Sequence, residues 1–277
     1  MLLIFALLHI FFEKESCAIV SRVYTCCMRL HRFFSNDPVV PTIESGNQND
    51  RNDLITRSSA TAQWKKVFRF GPGDRVILFD GSGRDFICEI LEYKGGNGDS
   101  DEETVLKIIE SHENNVKPRC NVSLFAAVVK KDNFEWIVEK ATELGVSDIV
   151  PIIAERSEKK NLNTERLEKI TVEASEQSGR GTVPRVHVVI SLEDALAEIK
   201  KRKQPAIVFD LSGIKFSQKD FDVFVDSDIV IFIGPEGGWS ENEINLFKQT
   251  GVQVVSLGPQ ILRAETAVIA ALSRLVF

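Results

Sequence analysis

A chain of 277 residues has room for one or two domains with a sizeable core. Apolar residues make up 43% and charged residues 27%, the balance of an ordinary soluble enzyme. The net charge of −6 excludes a chain that holds nucleic acid by overall basicity.

In chain order, residues 2–12 form an apolar run broken only by His9, too short to cross a bilayer as a helix. No basic flank precedes it. Glu13 and Glu15 follow it where a signal peptide would carry small residues, so a signal peptide is a poor fit. From Arg29 to Arg75, eight Lys and Arg stand against five acids, a mild basic patch that a solvated surface explains as well. Residues 75–80, the turn Gly81-Ser82-Gly83 and residues 86–91 read as a β-hairpin. The polar stretch 95–103 reads as a mobile loop, and 105–110 as a further strand. Short strands in succession suggest a small β-barrel, with Lys117-Pro118-Arg119 linking it to the rest.

Beyond that link, strands and helices alternate. Strands are expected over 122–129, 149–153, 186–190, 206–210, 228–233 and 252–256. A helix over 134–144 places Phe134, Ile137, Val138, Ala141 and Leu144 on one face, with Gly145 at its end. Trp136 is expected in the core. Further helices are expected over 164–178, with Thr164 as cap, and over 191–201. Ser240 and Glu243 make a capping box for a helix over 241–249, and 266–275 is an apolar helix. Such alternation implies a parallel sheet.

Two strands run straight into glycine turns: Gly234-Pro-Glu-Gly-Gly-Trp239 after the first, and Leu257-Gly-Pro-Gln-Ile-Leu-Arg263 after the second. Without a Cβ, glycine lets backbone come close to a ligand. Ligands of open α/β sheets sit outside the carboxyl ends of strands, so two such loops side by side would line a pocket. Ordinary βα turns look the same locally. No G-x-G-x-x-G follows a strand and no G-x-x-x-x-G-K-[ST] occurs, so a phosphate cradle is not indicated. Five cysteines (Cys17, Cys26, Cys27, Cys88, Cys120) without a C-x-x-C pair argue against a disulfide framework or a zinc site and for a reducing compartment. The histidines are scattered, and no metal is expected.

Gly234-Pro-Glu-Gly-Gly238 followed by Leu257-Gly-x-x-Ile-Leu-Arg-x-Glu-Thr-Ala267 resembles the RsmE family of 16S ribosomal RNA methyltransferases, of the SPOUT class. Met28-Arg-Leu-His-Arg-Phe-Phe34, residues 67–74, residues 130–146, Glu155-Arg-Ser157 and residues 173–180 resemble further blocks of that family, in the same order. The resemblance implies an α/β fold: a SPOUT-type knotted parallel-sheet domain at 119–277, preceded at 28–118 by a small PUA-like β-barrel domain that helps to hold RNA. The trefoil knot, which holds S-adenosylmethionine, rests on the resemblance alone, because the general rule for chain connections excludes one. Also implied is methylation of a specific uridine at N3 in 16S rRNA, with an assembled small ribosomal subunit as the expected partner. The enzyme is expected to be a cytoplasmic homodimer, with no metal and no membrane. Because Met28 opens the family-like block, residues 1–27 are expected to be an extension or the product of a start set too far upstream. A membrane-associated segment is the weaker alternative.

The resemblance also assigns residues. Gly234, Pro235, Glu236, Gly237, Gly238, Leu257, Gly258, Ile261 and Leu262 are the implied cofactor lining. Uridine N3 must lose a proton before it attacks a methyl group, and a cation steadies the resulting anion. Arg263 is the choice for that task or for a phosphate contact, against a structural salt bridge to Glu236. Glu265 and Glu236 are candidates for the base or for purely structural roles; a carboxylate at a helix start, as at Glu265, is welcome in any case. Trp239 is a candidate wall of the site. Arg29, Arg32, Arg69, Lys130, Arg156 and Arg180 are candidate RNA contacts. A solvated turn at Lys130 and a helix C-terminus at Arg180 are equally good local explanations. A non-catalytic RNA-binding or ribosome-assembly protein of the same fold is the alternative function. A different α/β enzyme with a nucleotide cofactor is disfavoured by the missing fingerprint.

Overall fold

The computed structural model describes residues 30–39, 53–56, 60–94, 103–157 and 162–277. Residues 1–29, with Arg29 and three of the cysteines, and most of the polar loop at 95–103 lie outside the described residues. The chain divides into two compact units: Met1–Phe33, Pro41–Ile77 and Ile87–Ile109 in one, Phe34–Val40, Leu78–Phe86 and Glu110–Phe277 in the other.

Strands β1 (Arg32–Phe34), β2 (Asp53–Thr56), β3 (Arg75–Phe79), β4 (Arg84–Lys94) and β5 (Glu103–Glu113) form a five-stranded sheet in the order β1-β3-β4-β5-β2. The expected hairpin is β3 and β4, with Gly81 and Gly83 both at positive φ. Alternate residues, such as Cys88 and Ile90, are fully buried because successive strand side chains point to opposite faces. Trp64 is fully buried, with the Phe33 ring edge-on at 5.3 Å.

The second sheet has seven strands: β6 (Asn121–Ala127), β7 (Asp148–Ile153), β8 (Arg185–Val186), β9 (Ile190–Ser191), β10 (Ala206–Lys215), β11 (Asp228–Ile233) and β12 (Gln253–Ser256). Its order is β12-β10-β11-β6-β7-β8, β9 also pairs with β7, and the pairings are parallel. Helices α1 (Lys131–Glu143), α2 (Thr164–Ser178), α3 (Leu192–Arg202), α4 (Glu241–Gln249) and α5 (Ala264–Val276) cover it. Along β11, Ile229, Ile231 and Ile233 join one core with α1, α2 and α5. Val230 and Phe232 join the other, with α3 and α4. Both faces are buried, which is why these strands read as continuous apolar runs rather than alternating ones.

Several expectations are corrected. The strand read over 186–190 is two short ones, β8 and β9, with Val188 and Val189 exposed between them at the sheet edge. Asn163, not Thr164, caps α2, accepting from Arg166 N at 3.0 Å. Trp136 is not in the core. Phe134, Ile137, Val138 and Ala141 take the inner stripe of α1, leaving Trp136 on the outer face with the Lys140 ammonium 6.0 Å from its ring centroid.

Candidate functional site

Strands β11 and β12 flank β10, and the loops at their carboxyl ends line one cavity of about 280 Å³. The first glycine loop contributes Gly234, Pro235, Glu236, Gly237, Gly238 and Trp239; the second contributes Leu257, Gly258, Gln260, Ile261 and Leu262. Ala264 and Ala267 come from the start of α5. The two loops expected to meet are thus brought together.

A third wall was not foreseen. Phe209 and Ile214 of β10 both pair with Val255, so residues 210–213 arch out of the ladder, and Asp210 and Leu211 line the cavity. A Cβ on Gly213 would fall 2.4 Å from the Val255 carbonyl carbon, so glycine alone fits where the arch returns. The available signal was Gly213 shortly after the expected strand 206–210, since a glycine in a strand marks a bulge or a close backbone approach.

The first loop is heavily bonded. Trp239 is buried, its Nε1 donates to Phe209 O at 3.2 Å, and its ring meets Phe247 edge-on at 4.9 Å. A Cβ at Gly234 would come 3.0 Å from that indole. The capping box of α4 is formed: Ser240 Oγ accepts from Glu243 N, and Glu243 Oε2 accepts from Ser240 N at 2.7 Å. Glu243 Oε1 accepts a further bond from Glu155 N at 2.8 Å, and Arg156 Nη1 donates to Gly237 O at 2.6 Å. By contrast, the second loop is held through Ser256 Oγ, which donates to Gly258 O at 3.0 Å. Gly258 has φ +150°, and Ile261 is 84% exposed.

The charged candidates divide. Glu236 is exposed, 3.5 Å from Asn133 Nδ2. Arg263 is exposed at the N-cap of α5 and makes no ion pair among the described residues, so the salt bridge to Glu236 is not formed. A cation there opposes the helix dipole, so stabilising α5 is not the reason for it. Glu265 lies in the first turn of α5, and its Oε2 is buried without a hydrogen-bond partner among the described residues. Neither Arg263 nor Glu265 lines the cavity itself.

Among the RNA candidates, Lys130 is exposed just before α1, Arg69 is exposed with φ +57°, and Arg32 is half-buried in β1. Arg180 is a correction. It is 5% exposed, and its guanidinium donates to Thr142 O and Val146 O, both at 2.8 Å. It ties the carbonyls of Thr142 in α1 and Val146 just past it, and so little of it is exposed that a phosphate contact is not what the structure provides. Burial pulls its pKa down to about 10, which leaves it charged at neutral pH. Cys88 and Cys120 are buried thiols, and burial pushes Cys88 up to about 12. Among the described residues, no His, Cys, Asp and Glu cluster could hold a metal ion, and no helix is long and apolar enough to cross a membrane.

An RNA methyltransferase domain family matches residues 116–276, and an RNA methyltransferase PUA domain family matches residues 65–95. The ribosomal RNA small subunit methyltransferase E of Bacillus subtilis (strain 168) is 34% identical over 223 residues, 76% of this chain and 84% of that protein. The ribosomal RNA small subunit methyltransferase E from Neisseria gonorrhoeae, solved bound to S-adenosyl methionine, is 26% identical with a TM-score of 0.72, covering 88% of this chain and 95% of that one. A Legionella pneumophila protein solved in complex with bound SAM is 27% identical with a TM-score of 0.73, covering 90% and 97%.

Proposed function

This chain belongs to the ribosomal RNA small subunit methyltransferase E family, and from that premise we propose that it transfers the methyl group of S-adenosylmethionine to N3 of a uridine in 16S ribosomal RNA. The observation that carries this reading is the convergence of both glycine loops and the β10 arch on one cavity. The residues fit the cofactor: the backbone of both glycine loops lines the cavity, and Trp239 and Leu257 offer apolar walls for an adenine ring.

When bound, the cofactor supplies a methyl group already activated on a sulfonium. This chain's residues supply placement and charge. An acceptor N3 would have to shed its proton before taking that methyl group, so this chain's residues would have to hold the uracil anion and take up the proton. Arg263, a permanently charged planar donor at the rim, suits the anion that forms on the uracil ring or a flanking phosphate. Glu236 and Glu265 are the groups offered for the proton; the unpartnered buried oxygen of Glu265 is the stronger support.

The same reading assigns residues 28–118 to a PUA-like RNA-holding domain and 119–277 to a methyltransferase domain with a trefoil knot. It makes the enzyme a cytoplasmic homodimer acting on an assembled small subunit. Arg29, Arg32, Arg69, Lys130 and Arg156 are the proposed phosphate contacts, and binding weakens with salt as counterions are released. The test is methylation of small subunits from a strain lacking this gene, by the purified full chain with S-adenosylmethionine, read by nucleoside mass spectrometry. N3-methyluridine at one position is expected. No methyl transfer to 16S rRNA would overturn the proposal.

A further inference from the structure

The cavity is unbalanced in charge. Among its lining residues the charged ones are Asp210 and Glu236, both acids. Asp210 opens the β10 arch, and its Oδ1 accepts from Ser212 N at 2.8 Å and from Ser212 Oγ at 2.6 Å. Its Oδ2 takes no hydrogen bond from the described residues, and neither acid meets a cation there at ion-pair distance. Arg156, the cation that touches the first loop, directs its guanidinium to Gly237 O instead, and Arg263 at the rim pairs with neither acid and does not line the cavity.

Uncompensated carboxylates in a concave site repel anionic ligands and favour cationic ones, because a partly dry cavity screens charge less than bulk water does. S-adenosylmethionine carries a sulfonium, an ammonium and a carboxylate, a net positive charge. Transfer removes one positive charge. The S–CH3 bond breaks, its electron pair remains on sulfur, and the product is a thioether with no net charge.

We propose that Asp210, with Glu236 at the mouth, makes the cavity prefer the sulfonium cofactor over its demethylated product. This rests on the cofactor reading above and deepens it. Methyl transfer then weakens the hold on the spent cofactor without any change of shape. Asp210 also shapes the arch through Ser212, so the charge has to be separated from the turn. Asparagine does this: it keeps an acceptor oxygen for Ser212 and the same turn preference while removing the charge.

The experiment is calorimetric titration of the full chain with S-adenosylmethionine and, separately, S-adenosylhomocysteine, using wild type, Asp210→Asn and Glu236→Gln. Wild type is expected to bind S-adenosylmethionine about tenfold tighter. In Asp210→Asn the ratio falls toward one, because only the sulfonium ligand weakens, and the melting temperature holds. Glu236→Gln shifts the ratio the same way by less. An unchanged ratio in Asp210→Asn, or equal weakening of both ligands, overturns the proposal. Equal wild-type affinities for the two ligands overturn it while leaving the cofactor reading intact. Failure of wild type to bind either one overturns the cofactor reading itself.

Discussion

The two glycine loops that meet in the cavity are held in opposite ways. The first is clamped from three sides: Trp239 on Phe209 and Phe247, Glu243 on Ser240 and Glu155, and Arg156 on Gly237. The second depends on Ser256 and leaves Ile261 84% exposed and Leu262 37% exposed. Half of the site is therefore built in advance, and half is left to be completed by what binds. Damage to a clamped loop should register as lost stability. Damage to an open loop should register as lost binding or turnover in a molecule that still folds.

The largest effect is expected at the clamp. Trp239→Ala removes a buried indole and should cost about 3–5 kcal/mol in urea unfolding, as large core truncations do. Trp239→Phe keeps a ring against Phe247 but loses the Nε1 bond to Phe209, and should cost about 1 kcal/mol. An alanine variant with wild-type stability would mean that the first loop is no more preformed than the second. Gly234→Val is a poorer probe, because its side chain would strike Trp239 as well as any ligand.

Arg263 tests the open half. Under the catalytic role, Arg263→Ala should lower single-turnover methylation on the order of a hundredfold, as when a charge-stabilising donor is lost. Melting temperature and most of the cofactor affinity should survive, since the side chain is exposed, makes no ion pair among the described residues and does not line the cavity. A near-normal rate in a stable variant would end the catalytic role. A lowered melting temperature with intact activity per folded molecule would move Arg263 to the structural side of the comparison.

The two halves also differ in how far they could be read from sequence. The clamped loop is written in local chemistry. Ser240 and Glu243 are three residues apart, and the apolar run of β11 stops at Gly234, so the strand, turn and helix were legible. The β10 arch was not, because its cause is the Val255 backbone some forty residues away. Arg180 misled for the same reason. Its place just past the end of α2 suggested an exposed cation, yet it ends against the carbonyls of Thr142 in α1 and Val146 just past that helix. Trp136 was misjudged although the helical period was correct, since residues two apart on a helix face nearly opposite ways. The expected knot and the proposed chemistry rest on resemblance, because spacing and periodicity carry no information about threading or about which base is methylated.

The smallest change in stability, and the sharpest test of the open half, is expected at Ile261. An isoleucine 84% exposed contributes little to the fold, so Ile261→Ser should shift unfolding free energy by no more than about 0.5 kcal/mol. Its neighbours Leu262 and Leu211 are also exposed on the cavity rim, and grouped apolar side chains mark a surface that is covered in use. Burying one such side chain contributes roughly 1.5–3 kcal/mol, equivalent to about ten- to hundredfold in a dissociation constant. If a bound cofactor or the second copy of the proposed dimer covers the rim, the serine variant should lose affinity in one of those equilibria. Sedimentation across a range of protein concentrations reads the dimer, and titration with S-adenosylmethionine reads the cofactor. A variant that dimerises and binds like wild type would show that the second loop is already complete, and the contrast between the loops would then be one of bonding alone.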